Sequence, residues 1–186
     1  GITVFSPLRH LGILPTHRVG VVGIGGLGHL ALRFTRAWGC EVTAFTSSPD
    51  KETEARGFGA HHVVSSVDAA AMAARTGTLD FIISTVNADL DWPAYINLLR
   101  PNGTLCFVGV PPSPLTISAF PLIAAQRAIA GSVIGGRAAI REMLDFAARH
   151  GITAQTEEMP LARANEALDR VRRNQARYRM VLRIPS

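Results

Sequence analysis

Four glycines at fixed spacing stand out first. Gly23-Ile24-Gly25-Gly26-Leu27-Gly28 reads G-x-G-x-x-G. The first glycine of such a pattern permits a tight turn. The second lets main chain approach a pyrophosphate with no Cβ in between, and the third lets a following helix pack closely on the strand before it. The first N–H groups of that helix then face the phosphates, with the positive end of the helix dipole behind them. No Gly-Lys-Ser/Thr follows, which excludes a P-loop. The pattern implies a bound dinucleotide; a purely structural turn, or a related nucleotide such as S-adenosylmethionine, are the alternatives.

About 20 residues on, an acid is expected where the dinucleotide is NAD, to accept hydrogen bonds from the ribose hydroxyls. The chain has Thr46-Ser47-Ser48-Pro49-Asp50-Lys51 there. Hydroxyls and an ammonium suit a 2′-phosphate, which a carboxylate repels, so the segment favours NADP over NAD. Glu41 lies roughly 16 Å away at the usual rise of a strand. Asp50 is the rival, but it falls in the first turn of a helix, where acids are favoured for dipole reasons alone. Ser47 and Ser48 could instead serve only as helix caps.

The remaining chemistry-bearing residues form no constellation. His29 follows the last glycine inside the helix and reads as packing. His61 and His62 are adjacent, so on a strand they point to opposite faces and are poor co-ligands. Cys40 and Cys106 have no neighbouring ligand and read as core thiols of a reducing, cytoplasmic setting. No nucleophile elbow and no coupled acid–base pair is present.

These residues need a frame, and the chain spells one. Short apolar runs at residues 19–22, 42–46, 62–64, 79–84, 104–108 and 128–134 alternate with helical patterns at 26–38, 49–56, 69–75, 92–99 and 140–150. Continuous apolar strands separated by helices imply a parallel sheet covered on both faces. The order predicts an α/β fold with a doubly wound six-stranded parallel sheet, a Rossmann fold. Gly57 and Gly151 suit the left-handed position past a helix end. Three segments follow: a junction at residues 1–14, the nucleotide-binding unit at 15–151, and a helix with a tail at 152–186. The opening residues and the strand-like tail at 178–184 have no evident partner in the sheet.

With 186 residues and 47% apolar composition, the chain can bury a large core and is not disordered. No apolar run reaches the roughly 18 residues of a membrane span. The formal charge is +5, and every basic residue but Lys51 is arginine. Seven arginines fall between Arg163 and Arg183, yet aromatic residues make up only 6% and no recognition motif accompanies them. A solvated face or a protein contact is expected there rather than nucleic acid. The chain begins at Gly1 in mid-phrase, as a piece of a longer protein would.

Several separate segments resemble one family. GITVFSPLRH (residues 1–10), VGVVGIGGLGH (19–29), RAIAGSVIGG (127–136), EMLDF (142–146) and ARYRM (176–180) are similar to zinc-dependent medium-chain alcohol dehydrogenases of the cinnamyl alcohol dehydrogenase-like branch. The resemblance runs over essentially the whole chain. It implies interconversion of primary alcohols and aldehydes by hydride transfer with NADP(H), in a homodimer paired through residues 130–134. It also implies a zinc whose ligands lie in a catalytic domain outside this chain, so that the chain alone binds cofactor without catalysing. Carried over by position, Thr3 and Thr85 contact the cofactor, while Gly23, Gly25, Gly26, Leu27 and Gly28 hold the pyrophosphate. Thr46, Ser47, Ser48 and Lys51 bind the 2′-phosphate; Gly109 follows the fifth strand, and Ser132, Val133 and Ile134 present backbone to the nicotinamide. The chain departs from the family at Ala139-Ile140, usually Glu-Thr, and at Arg183, commonly an acid. The alternatives are a zinc-free quinone or enoyl reductase and a non-catalytic dinucleotide-sensing module.

Overall fold

A computed structural model describes residues 1–184; the last two positions of the 152–186 segment lie outside the described residues. In chain order the elements are α1 (Ile2–His10), β1 (Arg18–Val22), α2 (Gly28–Trp38), β2 (Glu41–Thr46), a short 3-10 turn (Pro49–Lys51) running into α3 (Glu52–Gly57), β3 (His62–Ser65) and α4 (Ala69–Ala73). β4 (Leu79–Ser84), α5 (Trp92–Leu98), β5 (Leu99–Phe107), α6 (Phe120–Ala125), β6 (Ala128–Gly131) and α7 (Arg137–Arg149) complete the main unit. β7 (Thr156–Pro160), α8 (Ala164–Arg172) and β8 (Arg179–Arg183) form the tail.

Six strands pair in parallel in the order β3-β2-β1-β4-β5-β6, the doubly wound arrangement expected. Every residue of β4 is buried, because this central strand is covered on both faces. One face packs Leu30, Ala31, Leu32 and Phe34 of α2 against Val19, Val21, Phe81 and Ile83; the other sets Met72, Trp92, Tyr95 and Ile96 against Val22, Phe45, Ile82 and Leu105. Asp91 caps α5 and Asp68 caps α4, each carboxylate accepting first-turn N–H groups.

Several boundaries differ from the sequence reading. The opening residues, for which the sequence showed no partner, form α1, which buries Val4, Phe5 and Leu8 in the core and sets Phe5 edge-on to Phe34 and Trp38. Gly57 lies inside α3; the left-handed residue is Gly59, φ +110°, so that Phe58 can turn inward. Gly151 does adopt φ +63°. β5 starts at Leu99 and runs through Pro101, past a register irregularity opposite β4, the kind of place where a strand tolerates proline. β6 ends at Gly131, short of the expected Ile134; Ser132 still donates its N–H to the Phe107 carbonyl at 3.0 Å. The tail strand does have a partner: β8 pairs in parallel with β7, a strand the sequence reading missed.

Candidate functional site

Parallel pairing brings the strands' C-terminal ends to one edge, where ligands of open α/β sheets bind. In register there, Val22 faces Phe45 and Ser84, Ser84 faces Phe107, and Phe107 faces Gly131. The residues singled out in the sequence follow these ends directly. The glycine loop leaves β1, Ser47 leaves β2, Thr85 leaves β4, Gly109 lies just beyond β5, and Ser132 leaves β6. Thr3 is carried separately, half-buried on α1.

The loop has the form its glycines dictate. Gly23 adopts φ +84°, which other residues rarely take. A Cβ on Gly28 would stand 1.9 Å from the Gly23 carbonyl oxygen, whereas a Cβ on Gly25 would meet nothing within 4 Å. The third glycine therefore serves helix–strand packing, and the second leaves open space for a ligand. Thr85 holds the loop, its single hydroxyl proton shared between the carbonyls of Val22 (3.0 Å) and Gly23 (2.8 Å). Beside it Gly109 sits so close to β4's exit that a Cβ would come within 2.3 Å of the Val86 carbonyl. Among the described residues, no backbone acceptor takes the N–H of Gly25, Gly26 or Leu27. Such free donors in the loop leading into a helix N-terminus fit an anion.

At the end of β2, Ser48 occupies the cap position of the following turn without a side-chain capping bond. The capping alternative thus leaves its hydroxyl unused. Ser47 is exposed and Ser48 half-buried, while Thr46 is buried with its hydroxyl oxygen accepting the Ser48 N–H at 3.1 Å. Lys51 is only 5% exposed, and its ammonium donates to the Ile24 carbonyl at 3.0 Å. Burial, then the neighbouring Arg177, holds its pKa below the ordinary lysine value, against the pull of Asp50 and Glu54.

Sequence reasoning missed the wall supplied by the tail. The Arg179 guanidinium stands 3.2–3.3 Å from where a Gly26 Cβ would be. Tyr178 stacks on His29, ring centroids 4.9 Å apart, and its hydroxyl donates to Glu54. Arg177 reaches Asp50 and Glu54. His29 is fully buried, with Nδ1 3.0 Å from the Gly25 carbonyl and Nε2 3.2 Å from the Gln155 N–H. It is the packing residue expected, and it pins the tail to the glycine loop. The ARYRM segment was the only available signal, without a position attached to it. Of the seven C-terminal arginines, Arg163, Arg170, Arg172, Arg177 and Arg183 are engaged by carboxylates.

His61 and His62 go separate ways, His61 Nδ1 accepting the Val42 N–H and His62 pairing with Glu41. Among the described residues no three histidine, cysteine, aspartate or glutamate side chains gather as a metal site. No helix there is long and apolar enough to cross a membrane. Cys40 and Cys106 are buried and unpaired, burial pushing their thiols up to about 11 and about 12.

Comparison with known proteins decides the family. A family profile described as zinc-binding dehydrogenase matches residues 26–149. The chain belongs to the zinc-binding dehydrogenase family. It is 51% identical over 182 residues to aldehyde reductase AdhA of Synechocystis, covering 98% of this chain and 54% of that protein. It is 45% identical to probable cinnamyl alcohol dehydrogenase 5 of Oryza sativa, covering 99% and 52%. A solved cinnamyl alcohol dehydrogenase of Sorghum bicolor superposes with a TM-score of 0.94 at 42% identity, over 98% of this chain and 52% of that one. A Helicobacter pylori structure described as CAD complexed with NADP(H) gives 0.87 at 33% identity, over 98% and 52%. This zinc-binding dehydrogenase chain thus spans about half the length of the relatives it matches, and within the span it shares the Rossmann architecture expected.

Proposed function

We propose that the chain is the NADP(H)-binding part of a zinc-dependent alcohol dehydrogenase that interconverts primary alcohols and aldehydes. The observation that carries this reading is the strand-end cluster. Among the described residues the N–H groups of Gly25, Gly26 and Leu27 have no backbone acceptor, and a Cβ on Gly25 would meet nothing within 4 Å. The Lys51 ammonium reaches the same loop at the Ile24 carbonyl, with Ser47 and the uncapped Ser48 following the next strand. In the proposal the pyrophosphate lies on the loop against Arg179. The 2′-phosphate takes Thr46, Ser47, Ser48 and Lys51; an ammonium has three protons, and the Ile24 carbonyl occupies one. Thr3, Thr85, Gly109 and the backbone of Ser132, Val133 and Ile134 border the nicotinamide half. The bound nicotinamide supplies or accepts the hydride; this chain's residues orient it.

The described residues offer no zinc site, so in this reading the metal and most of the alcohol pocket belong to a further domain, and the isolated chain binds cofactor without turnover. The inert buried thiols suit a cytoplasmic setting. The half-exposed β6, with Val133 77% and Ile134 61% exposed beside it, is the edge proposed to pair with a second copy, and sedimentation should report a dimer. A purely monomeric chain at micromolar concentration would count against that edge.

The function itself is tested by parallel calorimetric titration of the chain with NADPH and NADH. NADPH is expected to bind more tightly. Lys51→Ala should weaken NADPH by about 10- to 100-fold, the size of a lost charge-assisted hydrogen bond, with a much smaller effect on NADH. An unchanged NADPH affinity in that variant overturns the 2′-phosphate assignment.

A further inference from the structure

Asp50 is the carboxylate closest in sequence to the proposed 2′-phosphate site, and its charge opposes such a ligand. It does not stand free. Arg177, immediately before β8, reaches it across 127 residues of chain, Nη2 to Oδ2 at 2.5 Å. The same guanidinium places Nε 3.2 Å from Glu54 Oε1, and Glu54's second oxygen accepts the Tyr178 hydroxyl. Arg177 is itself held from the tail sheet, because its backbone N–H donates to Glu157 Oε1 at 2.6 Å. Glu157 is fixed in turn by Arg170 at 2.6 Å.

We propose that Arg177 is a positioning residue that sets the preference for a 2′-phosphate by occupying Asp50 and Glu54; the inference rests on the NADP(H) reading above. With Arg177 in place, the charges of Asp50, Glu54, Lys51 and Arg177 cancel. Without it the group is left at −1, facing a phosphate that carries about −1.5 to −2. The freed carboxylates would also compete for the Lys51 ammonium, which at present donates to a neutral carbonyl. A free Asp50 would resemble the acid that accepts ribose hydroxyls in NAD sites. The tail thereby cancels the feature of the β2 end that would otherwise favour NAD.

The test titrates the chain and its variants with NADPH and NADH at low ionic strength, where such charges are least screened. Arg177→Gln should weaken NADPH by about tenfold, a size reasonable for a unit charge acting on a phosphate through partly aqueous surroundings, with NADH changed by less than about twofold. Adding Asp50→Asn to that variant should restore most of the NADPH affinity, and Arg177→Lys should retain it. A merely structural tail contact would lower both affinities equally and would not be rescued at Asp50. Asp50→Asn alone, at an exposed position, should raise NADPH affinity by about two- to threefold without moving NADH, whether or not Arg177→Gln folds. A wild-type chain that prefers NADPH, with a ratio unmoved by these substitutions, overturns this inference alone. A wild-type chain that binds both equally overturns the NADP(H) reading and the inference with it.

Discussion

The two sheets of this chain are held together by different forces. β4, at the centre of the large sheet, is buried along its whole length, and Ile82 and Ile83 are fully inaccessible. β8, in the small sheet, alternates exposed and half-buried residues. Its surroundings are charged: Arg183 pairs with Glu158 and Arg170 with Glu157, besides the Arg177 contacts. Apolar burial is insensitive to salt and mild acid, whereas exposed ion pairs contribute little and are screened. The large sheet therefore builds the edge proposed to hold the coenzyme, and the small sheet sets residues 177–179 against it with a weaker grip. Loss of the tail should change what the site binds before it changes whether the chain folds.

Paired truncations break the comparison most directly. Ile83→Ala in β4 should cost about 2–5 kcal/mol, the transfer free energy of the lost methylenes plus the cavity left behind. Val181→Ala in β8, where the side chain is 39% exposed, should cost less than about 1 kcal/mol. Denaturant unfolding of both variants measures the difference. Equal losses would mean that the small sheet is part of the same cooperative core as the large one.

How legible each region was in the sequence follows the same division. The apolar runs that became the four inner strands, β1, β2, β4 and β5, were readable because strands covered on both faces are mostly apolar. The glycine loop was readable because a tight turn and a close helix contact tolerate little else at Gly23 and Gly28. β7, Thr-Glu-Glu-Met-Pro, carries almost no apolar signal, since only Met159 faces inward. α1 was hidden by Pro7, which sits inside the helix and interrupts its pattern. The ion pairs of Arg177 join positions more than 120 residues apart, and no local spacing encodes them. Lys51 and the serines could be nominated from charge alone, but the burial of Lys51 and its bond to Ile24 needed the fold.

The junction between the two sheets offers a finer test, because His29 links them as a neutral ring. Its Nδ1 lies against the Gly25 carbonyl and its Nε2 against the Gln155 N–H, a pattern that needs a proton on Nδ1 and none on Nε2. Burial lowers its pKa from the ordinary histidine value; the bond to Gly25 opposes this, and the nearby Arg179, Arg33 and N-terminal ammonium add to it. Tyr178 and Phe58 complete its surroundings with aromatic rings. The sign follows from linkage. The unfolded chain takes up the proton at about pH 6.5, while the folded chain resists it to lower pH. The stabilisation is thus complete above about pH 6.5 and is lost as pH falls toward the folded-state pKa, by at most about 1.4 kcal/mol per pH unit. Thermal unfolding should show a falling Tm between pH 7 and pH 5. His29→Asn, which can still donate to Gly25 but does not titrate, should start from a lower Tm and show a flatter slope across that window. A slope unchanged in the variant would move the acid sensitivity away from the ring that joins the tail to the glycine loop.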